Sequence, residues 1–176
     1  MKKRCLMAVL MSIFYVPALG LTAEPMKTYT DPLFLYSVDY PETWHAKEIN
    51  NVAVFAAPLD STEDKFAENV NVVVEDLTRV PTEVTLIDYY RKSTGSASKM
   101  LTDFKVLEEA RTQWIGRDAV VVLYTAKIRG EKFKFKAYTV MADKTVYVLT
   151  YTAREGDFDS FLPQAERLMR SIRLSP

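Results

Sequence analysis

The chain has very little cysteine and histidine, and this excludes several kinds of site. Its 176 residues include one cysteine, Cys5, and one histidine, His45. A lone cysteine cannot form an intrachain disulfide, so the folded domain must be stable through packing alone. A Ser-His-Asp triad or a histidine metal site could use only His45. That residue directly follows Trp44 at the start of a predicted strand, where a structural or solvent-facing histidine is far commoner than a catalytic one.

The first residues of the chain have the pattern of an export signal. A basic start at residues 2–4 precedes an apolar stretch over residues 5–20. Small residues at the end of that stretch and at Ala23 offer two alternative cleavage points. The leader is short and contains Pro17, which argues against a membrane span.

This pattern predicts a signal peptide over residues 1–23 and one domain over residues 24–176 in a periplasmic or secreted protein. Cys5 lies at the front of the leader, whereas a lipoprotein cysteine would have to lie at the cleavage point. No later segment is long and apolar enough for a membrane span.

The charge balance argues against a nucleic-acid-binding protein. The whole chain carries 23 basic and 23 acidic residues. The leader removes three basic residues, which leaves the domain with a net charge of about −3. Nucleic-acid-binding domains usually have a basic excess. We therefore expect no nucleic acid as a partner. The other expectations are an envelope or secreted protein as the partner, no cofactor and a monomeric state.

Apolar residues recur with strand and helix periods along the domain, and they predict an α+β fold. The last strand is apolar on both faces, so we expect it to be central and covered above and below. Residues 24–32 are expected to form a polar lead-in. The predicted strands are Phe34–Tyr40, Trp44–Ile49, Val52–Ala57, Asn69–Glu75, Phe104–Trp114, Ala119–Ile128, Lys132–Met141 and Val146–Thr152, and the predicted helices are Leu86–Leu101, with Thr85 as N-cap, and Phe158–Ile172.

The turn Arg129-Gly130 joins two strands whose polar positions can be aligned. Thr125 and Lys127 are odd-numbered, whereas the lysines after the turn are even-numbered. Directly paired residues share a face of the sheet, so an even-length turn is required to place all of these polar side chains on one side. The result is a basic stripe, which is either a charged face that keeps the protein soluble or a docking surface for an acidic protein or anionic headgroups. The candidate protein-binding surface consists of Lys127, Arg129, Lys132, Lys134 and Lys136.

Two further patterns have a possible chemical use but a commoner structural one. Ser96-Ala97-Ser98-Lys99 matches the S-x-x-K start of penicillin-binding enzymes, but no S-D-N or K-T-G partner exists and the chain is too short for that fold. Several tyrosines could line a ligand pocket, although packing is their usual role. They are Tyr89, Tyr90, Tyr138, Tyr147 and Tyr151.

A cluster of acidic residues lies in one loop of the chain. Asp60, Glu63, Asp64 and Glu68 could supply oxygen ligands to Ca²⁺ or Mn²⁺. The spacing lacks the glycine and the fixed period of an EF-hand, so a solvated loop is the favoured interpretation and no metal site is predicted.

The order of several local patterns resembles the PsbP-like family. These patterns are the Tyr-Pro pair that ends at Pro41 and is followed by Trp44, the valine-rich strand, the Gly116 turn, and the passage from Tyr147 to Phe158 and Ile172. The family includes the extrinsic subunit P of photosystem II and exported bacterial relatives, and the chain is also similar to the periplasmic DcrB group. This resemblance implies an α/β/α sandwich, in which one antiparallel sheet carries helices on both faces, and non-enzymatic work such as docking onto or assembling other proteins.

Together these observations favour an exported, non-catalytic protein that docks onto other envelope proteins. The alternative is a carrier of a small apolar ligand held between sheet and helices. A tyrosine- and phenylalanine-lined pocket of ligand size would favour the carrier, and a filled interior would favour docking. A third possibility, a hydrolase, requires His45 or Ser96 to lie in a cleft beside a carboxylate.

Overall fold

A computed structural model describes residues 24–59 and 61–174, and the predicted signal peptide lies outside these described residues. The described part contains ten strands and two helices. In chain order the elements are β1 (Met26–Asp31), β2 (Tyr36–Pro41), β3 (His45–Ile49), β4 (Val52–Ala56), β5 (Asn69–Asp76), α1 (Leu86–Met100), β6 (Thr102–Trp114), β7 (Arg117–Ile128), β8 (Glu131–Ala142), β9 (Thr145–Arg154), α2 (Phe158–Arg170) and β10 (Arg173–Leu174).

The strands form two antiparallel sheets rather than the one sheet expected from the sequence. The larger sheet has seven strands in the order β3-β4-β5-β9-β8-β7-β6, and the smaller sheet has the order β1-β2-β10. The prediction of a single antiparallel α+β domain is therefore correct, but the strands are divided between two sheets and β2 lies in the smaller one. Pro41 ends β2, and a turn in which the Trp44 N–H donates to the Pro41 carbonyl over 2.9 Å leads into β3 of the other sheet.

The expected polar lead-in is in fact a strand. β1 pairs along its whole length with β2, from Met26 opposite Pro41 to Asp31 opposite Tyr36. Half of its side chains, those of Lys27, Thr28 and Thr30, are polar and exposed, so the strand has no apolar period from which it could be predicted. Its backbone groups are satisfied by a neighbouring strand that the sequence does not identify.

β2 starts later than its apolar alternation suggests, because a turn takes its first residues. The buried Asp31 carboxylate accepts hydrogen bonds from the Leu33 and Phe34 N–H groups over 2.9 and 2.8 Å. Leu35 then has a φ of 51°. This is an aspartate-centred turn, which the alternation of apolar residues obscures.

The central position predicted for the last strand is confirmed. β9 lies between β5 and β8 in the larger sheet. Leu149 and Tyr151 on one side of it are fully buried against β2 and α2. Val148 and Thr150, at the alternate positions, line a small cavity next to α1.

The final helix packs the face that its apolar period predicts. Ala165, Leu168 and Met169 are fully buried in the main core. α2 contacts β2, β5 and β9, so it joins the two sheets. Burying these side chains is worth on the order of 5 kcal/mol, and most of this gain is offset by the entropy lost on ordering the chain.

The other helix begins where its cap predicts. The Thr85 hydroxyl accepts a hydrogen bond from the Asp88 N–H over 3.2 Å. Tyr90 is the buried residue of α1, and it packs with Val120, Val122 and Ala137 of β7 and β8. This contact places α1 over the half of the sheet that lies farthest from β3.

The C-terminal strand completes the small sheet through charged contacts. Arg173 pairs with Ser37 in the ladder, and its guanidinium binds both carboxylate oxygens of Asp39 over 2.8 and 2.9 Å. The hydrogen bond from Arg173 lowers the pKa of Asp39 to about 2, although partial burial opposes the shift. The Ser171 hydroxyl also accepts a hydrogen bond from the Asp39 N–H over 2.7 Å.

Replacement of Leu168 tests the packing of α2. We expect Leu168→Lys to destabilise the domain by about 4 kcal/mol or more, enough to unfold it, because the ammonium group would be buried without a partner. Ser160→Lys on the exposed side of the same helix is the control and should be close to neutral. Thermal unfolding followed by circular dichroism measures both, and a wild-type melting temperature for Leu168→Lys would refute this packing.

Candidate functional site

The even-length turn between β7 and β8 is confirmed. Ile128 pairs with Glu131, Lys127 with Lys132, and Thr125 with Lys134. Arg129 and Gly130 have positive φ values of 53° and 87°, which is the backbone of a two-residue hairpin turn. The four lysines therefore lie on one side of the sheet, while Tyr124 and Phe135 stack on the other side.

Three of the five candidate basic residues form the exposed end of this hairpin. Lys127 contacts Asp103 over 2.8 Å, and Lys132 contacts Glu155 over 2.8 Å. No hydrogen bond or ion pair joins Arg129 to another of the described residues. We refer to Lys127, Arg129 and Lys132 as the hairpin end. It presents one unpaired guanidinium between two lysines that already have acidic neighbours.

The other two candidate lysines lie half-buried against α2 rather than on an open face. The Lys134 ammonium lies 4.5 Å from the centre of the Phe158 ring and 4.0 Å from Asp159. The Lys136 ammonium contacts Glu166 over 2.5 Å. These contacts attach the sheet to α2, so both lysines also have a structural role.

Glu166 is the centre of a partly buried charge network. It accepts hydrogen bonds from the Tyr138 hydroxyl over 3.2 Å and from Arg170 Nε over 3.1 Å, in addition to its contact with Lys136. Burial alone would lower the pKa of Lys136, but the hydrogen bond and the charge of Glu166 outweigh this effect and raise the pKa. The pKa of Tyr138 is raised by burial and by the Glu166 charge. Lys136 and Tyr138 therefore both stay protonated near neutral pH.

A groove of about 580 Å³ runs between β6 and the start of α2, next to these lysines. Its wall on the β6 side carries the Glu108 carboxylate, and its opposite wall is formed by α2. An open groove with an apolar floor and charged edges suits a segment of protein chain that carries both kinds of side chain. The groove is lined by Glu108, Glu109, Ala110, Val121, Leu123, Lys134, Lys136, Tyr138, Phe158, Asp159 and Leu162.

Sequence reasoning finds the lysines of this groove but misses the acidic residues beside them, Glu108 in the groove and Glu166 in contact with Lys136. Glu108 lies on a strand whose pattern is irregular, and Glu166 lies on the polar side of α2. The only signal that could have found Glu166 is its position one helical turn before Arg170, which favours an ion pair within the helix but says nothing about Lys136.

The residues considered for catalysis are not brought together. His45 is exposed on β3, at the edge of the larger sheet opposite to β6. The Ser96 hydroxyl donates to the Lys92 carbonyl over 3.0 Å, within its own helix. No hydrogen bond links Ser96 or His45 to a carboxylate among the described residues.

The acidic loop is divided by its own contacts. Asp60 lies outside the described residues. Asp64 contacts Arg154 over 2.7 Å, Glu68 is buried, and Glu63 is exposed. Within residues 24–59 and 61–174, no group of three potential histidine, cysteine, aspartate or glutamate ligands is close enough to hold a metal ion.

The tyrosines mentioned as pocket candidates mostly use their hydroxyl groups in structural hydrogen bonds. Tyr89 donates to Glu75 over 2.7 Å, Tyr147 to the Phe34 carbonyl over 3.3 Å, and Tyr151 to the Phe158 carbonyl over 2.9 Å. Tyr90 borders a cavity of about 110 Å³ between α1 and the sheet. Pockets for small ligands usually measure about 300–1,000 Å³, so this cavity is small for a ligand.

Comparison with solved structures identifies the fold. The solution structure of the cyanobacterial PsbP protein (CyanoP) from Synechocystis sp. PCC 6803 matches 89% of this chain and 96% of its own, with a TM-score of 0.63 and 17% identity. The protein therefore has a PsbP-like fold. No protein-family model matches the sequence, and no curated protein matches it either.

Two further solved structures share this PsbP-like fold. PA94 of Pseudomonas aeruginosa, a protein of unknown function, matches with a TM-score of 0.62 and 17% identity over 86% of this chain and 98% of its own. LpqN of Mycobacterium tuberculosis, described as involved in cell envelope biogenesis, matches with a TM-score of 0.61 and 13% identity over 88% of this chain and 87% of its own. Identities this low carry the fold and not the residues of a site.

Neither described helix is long and apolar enough to cross a bilayer.

The buried acid at the end of the loop predicts a pH dependence of stability. Burial raises the pKa of the Glu68 carboxyl above its usual range, with smaller contributions from the charges of Asp157 and Asp64, although backbone hydrogen bonds oppose the shift. A folded-state pKa that lies above the unfolded one gives stability that is present at low pH and is lost as the pH rises through the folded-state pKa. We therefore expect Glu68→Gln to be more stable than the parent at neutral pH and to lose this part of the pH dependence.

Urea unfolding at several pH values between 4 and 8 measures the effect. Glu63→Gln, in the exposed part of the same loop, is the matched control and should follow the parent profile. A Glu68→Gln profile parallel to that of the parent would contradict the raised pKa.

Proposed function

We propose that this protein is an exported, non-catalytic binding or assembly protein that docks onto an envelope or secreted protein through its basic hairpin end. The observation that carries the proposal is the placement of Lys127, Arg129 and Lys132 at one exposed end of the sheet, with Arg129 unpaired among the described residues. A projecting cluster of three cations on a domain of negative net charge favours an acidic protein surface as its partner.

Export is part of this proposal. It includes a signal peptide over residues 1–23, a mature domain over residues 24–176, and a periplasmic or secreted location. The basic start and the apolar stretch of the leader support it. The fold it shares with LpqN, a protein described as involved in cell envelope biogenesis, agrees with such a location.

The arrangement of the helices also belongs to the proposal. The positions of β7 that pack with α1 are Val120 and Val122, whereas Val121 and Leu123 pack with the main core that contains α2. Alternate residues of a strand point to opposite faces of a sheet. We infer that α1 and α2 flank the two faces of the larger sheet, as in an α/β/α sandwich, so that its two ends remain for partners.

The charges of the hairpin end determine how it would bind. Because Asp103 and Glu155 already lie 2.8 Å from the two lysines, a partner carboxylate would compete with or share these contacts. Arg129 has no such contact within the described part, so it offers a bidentate site for a carboxylate. Binding of this kind is expected to weaken as the ionic strength increases.

A carrier of a small apolar ligand is the alternative function. The tyrosine-bordered cavity beneath α1 measures about 110 Å³, which is less than ligand pockets usually require. The space bordered by Tyr138 and Phe158 is larger, about 580 Å³, but it is an open groove edged by the charges of Glu108, Lys134 and Lys136 rather than an enclosed apolar pocket. The interior beneath α2 is filled, since Ala165, Leu168 and Met169 are fully buried there. These observations support docking rather than carriage.

A hydrolase is the least supported function. His45 and Ser96 lie on different elements, and neither side chain is hydrogen-bonded to a carboxylate in the described part of the chain. The proposed role therefore assigns no catalytic residue.

Reversal of the hairpin charges tests the docking proposal. We expect Arg129→Glu with Lys132→Glu to lower recovery of a crosslinked envelope partner at least tenfold, because attraction at two contacts becomes repulsion. Lys47→Glu, an exposed lysine on β3 at the other edge of the sheet, is the control and should leave recovery unchanged.

Recovery is measured by crosslinking in the native envelope followed by quantitative mass spectrometry, and thermal unfolding checks that both variants fold. Equal partner recovery from the hairpin variant and from Lys47→Glu would refute the hairpin end as the docking surface. A protein found only in the cytoplasm would refute export separately.

A further inference from the structure

β6 is a long strand with one unpaired edge. It is the terminal strand of the larger sheet, and within the described residues its only strand partner is β7. The exposed backbone N–H and C=O groups of such an edge can pair with another strand. Val106 and Leu107 on this strand are 37% and 43% exposed, which adds apolar surface that a partner could cover.

Only the second half of β6 is regular enough to pair. Its register with β7 shifts between Thr102 and Lys105 and again between Val106 and Glu108. From Glu108 opposite Leu123 to Trp114 opposite Arg117 the ladder is continuous. Bulges bend and twist a strand, so a new partner would align with the continuous part.

We propose that residues 108–112, within the continuous part of β6, pair with the same residues of a second copy of this chain, antiparallel, with Ala110 opposite Ala110. The larger sheets of the two copies then form one continuous sheet, with a twofold axis perpendicular to it. Such an axis is the usual symmetry of a homodimer. This proposal does not depend on the function proposed for the hairpin end, and it replaces the monomer expected from the sequence.

The register follows from the charges of the strand. Two residues that pair across this axis must point to the same face of the sheet. The two residues of each pair are therefore equally far along the strand from one central residue, which lies opposite its own copy. A centre at Glu108, Glu109 or Arg111 places two identical charges directly opposite each other, which is destabilising. A centre at Ala110 instead places Glu109 opposite Arg111 on both sides of the axis.

The side chains of this register are already oriented for it. Glu109 Oε2 accepts a hydrogen bond from the Tyr90 hydroxyl over 2.9 Å, which holds the carboxylate on the α1 side of the sheet. Arg111 lies on the same side, since its partner in β7 is Val120, which packs with Tyr90. No ion pair joins Arg111 to another described residue, so its guanidinium is available for the Glu109 of a second copy.

Space is available on both sides of this edge. Arg111 borders a groove of about 520 Å³ next to α1. Ala110 borders the groove of about 580 Å³ next to α2. A strand added to β6 would therefore meet open surface above and below, and its side chains would have room.

A cysteine placed on the proposed axis tests the register. In the full chain with Cys5→Ser, Ala110→Cys would bring the two introduced thiols directly opposite each other, within the Cα separation that a disulfide requires. Glu108→Cys is the control on the same face of β6, because its two copies would be about 13 Å apart at a rise of about 3.3 Å per residue. We expect oxidised glutathione to crosslink the Ala110→Cys chain into dimers and to leave the Glu108→Cys chain uncrosslinked.

Charge reversal tests the same interface without a covalent bond. Arg111→Glu would set two carboxylates opposite each other at both pairs, and we expect the dimer dissociation constant to rise about tenfold or more. Glu109→Arg should act in the same way. When the two variants are mixed, opposite charges face each other again, so a heterodimer should form with near-parental affinity.

Sedimentation velocity over a range of concentrations measures these affinities. Tyr90→Phe removes the hydrogen bond to Glu109 without a change of charge. The dimer dissociation constant of this variant therefore shows the effect of losing that bond without any charge repulsion. A parent chain that is monomeric at every concentration would overturn the proposal, as would equal crosslinking of Ala110→Cys and Glu108→Cys. Crosslinking of the Ala110→Cys chain to a different envelope protein, with no dimer, would also overturn it, because the strand that pairs with β6 would then belong to another protein.

Discussion

The packing of α2 against β9 and β2 is the contact on which the rest of the structure depends. Leu168 and Met169 of the helix meet Leu149 and Tyr151 of the central strand, and all four side chains are fully buried. The same helix contacts β2, which belongs to the other sheet. Since no disulfide links these elements, the two sheets are held together by this apolar contact and by the contact between the Tyr36 ring of β2 and the Tyr147 ring of β9.

Two of the lysines that a sequence reader would assign to a surface take part in this packing. Lys134 lies against the Phe158 ring, and Lys136 reaches Glu166, so the basic stripe passes beneath the end of α2. The sequence does not show which face of a sheet a distant helix will cover. The hairpin end is the part of the stripe that α2 does not cover. Lys134 and Lys136 thus contact the helix, whereas the hairpin end stays exposed.

Prediction from the sequence works where one residue pattern dominates. The N-cap of α1 at Thr85 and the parity of the lysines across Arg129-Gly130 follow from local rules. β1 could not be predicted, because its stability comes from pairing with β2 and not from an apolar period. The charge network of Glu166 could not be predicted either, since its members are brought together by the packing of a helix against a sheet.

The ladder between β2 and β10 has a consequence for the order in which the molecule is built. Arg173 bonds to Ser37, a residue 136 positions earlier in the chain. Contacts between such distant residues form late in folding, because a long loop must first be closed. The small sheet therefore gains its third strand only after residues 173 and 174 have been synthesised and brought back to β2, so a chain that still lacks them cannot yet be locked in its final form.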